Sequence, residues 1–170
     1  GERSLLVCSA ARYATTLITA IHAFKYEATP QLAEAFADPM ARAWQAVMPD
    51  ALPWVLVPVP LHPRRERERG YNQSTLLARR LGAQLGYAVT PRALRRVRNT
   101  AQQAQIADDA QRQANVQGAF VADPRLVNAK PILLVDDVYT TGATLRACAE
   151  ALYAAGAAQV SALTLARARG

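Results

Sequence analysis

Two adjacent carboxylates, Asp136 and Asp137, stand between an apolar run, Ile132-Leu133-Leu134-Val135, and a hydroxyl-rich stretch, Thr140-Thr141-Gly142-Ala143-Thr144. Three threonine hydroxyls, a glycine that lets the backbone come close, and the open N–H groups of a helix start together make a cradle for a phosphate. Carboxylates next to such a cradle repel a bare phosphate. They suit a ligand that also carries a diol, whose hydroxyls donate to carboxylates, or a divalent cation, which takes oxygen ligands. A ribose phosphate with magnesium meets both conditions.

The flanking residues say what positions these groups. Ile132 to Val135 is aliphatic without alternation, the pattern of a strand buried on both faces of a parallel sheet. Downstream, Leu145, Cys148, Ala149, Leu152 and Tyr153 form one apolar helical stripe that Gly156 closes, and Gln159 to Leu165 reads as a further strand. Residues 131 to 165 are thus a βαβ unit, and ligands of open parallel sheets bind beyond the carboxyl ends of the strands, where the two acids fall. A second apolar run, Trp54 to Leu61, leads into a basic loop from His62 to Gln73, and helical spacing resumes from Ser74 to Leu85. Near the amino terminus a helix is expected over Tyr13 to Tyr26. Thr29-Pro30 and Asp38-Pro39 each look like an N-cap followed by proline at the first helical position, which predicts two separate helices. The expected fold is α/β, a mostly parallel central sheet flanked by helices, in one domain spanning residues 1–170.

Of 170 residues, 51% are hydrophobic, enough for a full-sized core. No apolar stretch is long enough to cross a bilayer, and no signal-peptide pattern opens the chain, so a cytoplasmic setting is expected. Cys8 and Cys148 make neither a C-x-x-C pair nor a disulfide framework. The net charge of +7 is concentrated in residues 62 to 98, which hold ten arginines against two glutamates. Such a block suits polyanions: pyrophosphate, nucleotide or nucleic acid. Arg95, Arg96 and Arg98 are the candidate nucleic-acid contacts, although few aromatics lie among them for bases to stack on.

The usual phosphate motifs are absent, since no lysine follows Gly142 and there is no G-x-G-x-x-G. The stretch from 132 to 144 instead resembles the PRPP-binding signature of the type I phosphoribosyltransferases: a hydrophobic strand, two acids, then T-T-G-x-T. Residues 57 to 74, Val-Pro-Val-Pro-Leu-His-Pro-Arg-Arg-Glu-Arg-Glu-Arg-Gly-Tyr-Asn-Gln-Ser, narrow the resemblance to the ComF family of amidophosphoribosyltransferase-like competence proteins. Arg98-Asn99-Thr100-Ala101-Gln102-Gln103, Arg112 and Asn115 to Phe120 are similar to that family's next block, and His22-Ala23-Phe24-Lys25-Tyr26 to an upstream one. Family members commonly begin with a four-cysteine zinc module, which this chain does not contain.

The resemblance implies a type I phosphoribosyltransferase-like fold with a reduced hood, and roles for particular residues. Asp136 and Asp137 would meet the ribose hydroxyls or their magnesium, and Thr140, Thr141, Gly142, Ala143 and Thr144 would hold the 5′-phosphate. Pro60, Leu61 and His62 would form the pyrophosphate loop, with Arg64, Arg65 and Arg69 neutralising the leaving group and Tyr71 and Asn72 shaping the pocket. Residues 99 to 115 take the place of a mobile catalytic loop, with Arg98, Gln103 and Arg112 closing over the ligand. The implied chemistry is magnesium-dependent pentosyl transfer from PRPP to an acceptor that the sequence does not define. The alternative is a module of the same fold that holds PRPP, a nucleotide or single-stranded DNA without turnover. Implied partners are single-stranded DNA, helicase and recombination proteins of the competence machinery, and a second copy in a homodimer, with no membrane insertion.

Overall fold

The computed structural model describes residues 4–12, 14–48, 52–100 and 109–168, with the backbone alone at 109, 110, 112 and 113. In chain order the elements are β1 (Leu6–Arg12), α1 (Thr15–Tyr26), α2 (Leu32–Val47), β2 (Val55–Pro58), α3 (Pro63–Arg69), α4 (Gln73–Leu85) and β3 (Ala88–Val89). They continue with β4 (Leu94–Arg96), α5 (Asp109–Val116), β5 (Phe120–Ala122), α6 (Pro124–Val127), β6 (Pro131–Tyr139), α7 (Ala143–Ala154) and β7 (Gln159–Arg167).

Five strands form one sheet in the order β1-β7-β6-β2-β3, and every neighbouring pair is parallel. All their carboxyl ends therefore lie along one edge. β4 and β5 pair antiparallel in a separate ribbon, Arg95 opposite Val121. The unalternating run predicted for β6 is buried on both faces: Ile132, Leu133, Leu134 and Val135 have no exposure. Side chains alternate between two cores, as the strand period requires. Leu133 and Val135 join Leu56, Leu163 and Leu165 beneath α1, α2 and α4, where Phe24, Trp44, Trp54 and Leu77 fill the space. Ile132 and Leu134 join Val57, Val160 and Ala162 beneath α7 and the β4–β5 ribbon, with Leu145, Cys148, Leu152 and Phe120. Cys8 and Cys148 are both buried and unpaired.

Three local expectations are corrected. Asp38-Pro39 does not start a helix; α2 runs unbroken through Pro39. Its buried stripe, Phe36, Ala37, Met40, Ala41 and Trp44, is continuous across the proline, so tertiary packing outweighs the lost backbone hydrogen bond. Asp38 instead pairs with Arg42 one turn on, at 2.9 Å. The basic segment after His62 is a helix rather than a loop, because His62 caps α3 by accepting from the Arg64 N–H and Gly70 ends it in the left-handed conformation. The segment expected as a mobile loop contains α5, while residues 101–108 lie outside the described residues. Among the described residues no helix is long and apolar enough to cross a membrane.

Candidate active site

The site is built where β2 ends opposite Val135 and β6 runs on past it to Tyr139. Beyond β2 the pairing carries on by one more bond, Val59 N–H to the Val135 carbonyl at 2.9 Å, which lays Pro60 and Leu61 beside Asp136 and Asp137. A cleft of about 250 Å³ opens here, lined by Pro60 and Leu61, by Asp136 and Asp137, and by the whole turn Tyr139 to Leu145. Gly142 turns the chain into α7 at φ 78°, and a Cβ there would stand 2.8 Å from the Tyr139 ring and 3.0 Å from Arg146 Nη1. Only glycine allows this turn to lie so close to Tyr139. The first turn of α7 follows directly: Ala143 N–H donates to Thr141 Oγ1 at 3.4 Å, and the Thr144 and Leu145 amides, which have no preceding carbonyls within the helix, lie at the cleft with Thr140 and Thr141.

The two acids have different partners. Asp137, on the side of Leu133 and Val135, is buried and meets Lys25 from the end of α1, Nζ to Oδ2 at 2.9 Å. Burial works against the Lys25 ammonium, but the charge of Asp137 and the hydrogen bond to it outweigh burial and raise its pKa. Asp136 Oδ1 accepts from Ser74 Oγ at 3.0 Å and from the Asp137 N–H at 2.9 Å. Burial, and then the charge of Asp137, push the Asp136 carboxyl up to about 7.

A basic wall faces the acids. Arg65 and Arg69 from α3 and Arg96 from β4 all line the cleft. Arg65 donates to the Thr100 carbonyl at 2.7 Å, and Arg69 donates to Gln73 at 2.5 Å while stacking over the Tyr26 ring at 5.1 Å. Arg96 lies over Phe120 at 5.4 Å and hydrogen-bonds the Thr100 hydroxyl. Burial, then the positive charge of Arg65, lower the Arg96 pKa.

The remaining expected residues are placed elsewhere or indirectly. His62 caps α3 and Arg64 is exposed, paired with Glu68 at 2.9 Å, so neither lines the cleft. Tyr71 supports the site from behind, its hydroxyl donating to the Phe24 carbonyl and fastening the end of α1. Asn72 is buried, caps α4 through the Ser74 N–H at 2.9 Å and holds the Val59 carbonyl at 3.1 Å. Arg98 turns away and donates to the Gln117 carbonyl at 2.6 Å, and Arg95 is exposed. The trio Arg95, Arg96 and Arg98 is therefore split between the outer surface and the cleft. Gln103 lies outside the described residues, and Arg112 is described only as backbone within α5. Sequence reasoning gave no role to Lys25, Ser74 or Gln73. The signal for Lys25 was its rarity: the chain holds two lysines, and the other, Lys130, is exposed.

Residues 68–170 match the family model described as "Phosphoribosyl transferase domain". The chain is 34% identical over 147 residues to "Competence protein ComFC" of Bacillus subtilis, covering 85% of this chain and 57% of that protein. It is 34% identical over 165 residues to "DNA utilization protein YhgH" of Salmonella typhimurium, covering 94% of this chain and 70% of that protein. "Competence protein F" of Haemophilus influenzae is 34% identical over 119 residues, which is 69% of this chain and 52% of that protein. Against some of these relatives the chain thus spans little more than half the length. Among solved structures, the "allosteric regulatory enzyme of purine biosynthesis" aligns over 84% of this chain and 29% of its own with a TM-score of 0.53 at 19% identity, a likeness of fold alone. These matches agree with the resemblance read from the sequence, and the chain belongs to the ComF family of phosphoribosyltransferase-domain proteins.

Proposed function

We propose that the cleft binds PRPP with magnesium and supports pentosyl transfer in the handling of DNA in the cytoplasm, as the names of the competence and DNA-utilization relatives suggest. The observation that carries this reading is the juxtaposition of Asp136 and Asp137 with the 139–145 turn on one side and Arg65, Arg69 and Arg96 on the other. Phosphate, sugar and diphosphate need an amide-and-hydroxyl cradle, hydrogen-bond acceptors and cations, and the cleft offers all three.

The donor set also bears on the metal. Among the described residues no cluster of three acids, histidines or cysteines is gathered to hold an ion, and Asp137 is already paired with Lys25. These residues fit magnesium carried in on the diphosphate, which Asp136, the acid not paired with Lys25, would help to hold. Bound there, magnesium would offset charge on the departing pyrophosphate. The chain's own part is positional. The turn holds the 5′-phosphate, the carboxylates accept from the ribose hydroxyls and face positive charge growing on the sugar, and the arginines face negative charge growing on the leaving oxygen.

Calorimetric titration of PRPP with and without magnesium tests this, on the protein as it stands and on Asp136→Asn/Asp137→Asn. Magnesium-dependent binding that weakens at least about tenfold in the double variant is expected. A folded protein giving no heat at millimolar PRPP overturns the reading.

A further inference from the structure

Lys25 belongs to the upstream block His22 to Tyr26, for which the resemblance gave no role. It comes from α1, outside the residues 68–170 that match the family model, yet it lies in the cleft beside the acids. An ammonium carries three donors. One is spent on Asp137, whose side chain is 5% exposed, while the Lys25 side chain keeps 24% exposure within a cleft-lining position. The end of α1 is also tied to the basic wall. Tyr26, the next residue, lies under the Arg69 guanidinium, and Tyr71, just past the α3 cap, holds the Phe24 carbonyl. Lys25 thus joins the acids and the arginines of α3 in one cleft wall, paired with Asp137 and next in the chain to the Tyr26 ring that Arg69 covers.

We propose that Lys25 is a ligand-binding residue that, anchored on Asp137, donates its remaining hydrogen bonds to the diphosphate of the ligand. This deepens the PRPP reading and rests on it. It also gives the ion pair a purpose beyond neutrality. Asp137 aims a compact, movable point charge at an anion. The cleft-lining charges, Lys25, Arg65, Arg69 and Arg96 against Asp136 and Asp137, then leave an excess of cations for a polyanion.

The test uses magnesium pyrophosphate, ribose 5-phosphate and PRPP on wild type, Lys25→Met and Lys25→Gln, with thermal melts of each. Expected is a loss of about tenfold or more for pyrophosphate and PRPP, with ribose 5-phosphate unchanged within about twofold. An equal loss for all three ligands makes Lys25 only the counter-ion of Asp137, and tighter binding makes it a competitor for the site; either overturns the proposal. A measurement on the wild type alone covers variants that fail to fold. Because the sequence has only Lys25 and Lys130, acetylation read by mass spectrometry should show magnesium pyrophosphate protecting Lys25 at least about fivefold and leaving Lys130 unchanged. Equal modification with and without pyrophosphate overturns the proposal. If PRPP fails to bind while pyrophosphate protects Lys25, the functional reading falls and the Lys25 assignment stands.

Discussion

Ser74 Oγ donates to Asp136 Oδ1 at 3.0 Å, joining the first turn of α4 to the carboxyl end of β6 across 62 residues of chain. The bond makes the acidic pair depend on a helix whose own start is held by Asn72, which in turn grips the Val59 carbonyl. Acid, helix and loop are one connected unit. Ser74→Ala should weaken PRPP binding severalfold and lower stability by about 1 kcal/mol, since a buried carboxylate oxygen loses a donor. Calorimetry and urea denaturation check the two effects separately.

The Asp136 carboxyl, raised to about 7 by burial and by the charge of Asp137, makes stability depend on pH. The folded state holds this proton more tightly than the unfolded chain does. Its contribution is therefore fully present below about pH 4 and is lost as pH rises through about 7. Asp136→Asn should remove that decline, so the variant should gain on the wild type between pH 4 and pH 8. Melting curves across this range, without ligand, give the answer; parallel curves for the two proteins would contradict it.

Two glycines with positive φ should behave differently. At Gly142 a methyl group meets the Tyr139 ring at 2.8 Å and a left-handed backbone, whereas at Gly70, φ 88°, nothing lies within 4 Å. Gly70→Ala should cost about 1 kcal/mol through backbone strain and leave PRPP affinity alone. Gly142→Ala should cost more and reduce PRPP and ribose 5-phosphate affinity together, because Tyr139 must move out of the cleft wall. Denaturation and titration of both variants test the contrast.

The arginine block divides by strand alternation, with Arg96 inside the cleft and Arg95 outside. Neutralising Arg95 and Arg98 together should lower single-stranded DNA affinity and reduce its salt slope by about 1.4, with PRPP binding kept. Arg96→Met should do the opposite. A salt titration of DNA binding for each variant separates the two surfaces.

The parallel sheet and the threonine-glycine turn were legible because each is encoded locally. An unalternating aliphatic run, two acids and a threonine-rich glycine turn lie within thirteen consecutive residues. What was not legible depends on residues brought together from afar. Lys25 and Asp137 are separated by 112 positions, and their meeting follows from where α1 packs on the sheet, which no local pattern records. The same limit explains Pro39. Its local signal said helix start, yet the buried stripe from Phe36 to Trp44 keeps the helix whole. Adjacent acids also read as an equivalent pair, although one meets a lysine of α1 and the other a serine of α4, partners 49 residues apart in the chain.

Because all five strands point the same way, the two ends of the described chain are unequal places to attach anything. β1 begins at the edge away from the cleft, while β7 ends beside it: Ala168 N–H binds the Tyr139 carbonyl at 2.8 Å and Arg167 stacks on the Tyr139 ring at 4.8 Å. A fluorophore or surface tether fused ahead of β1 leaves the entrance clear for ligand. The same fusion after β7 stands at the doorway, and a sensor built that way would report on its own obstruction.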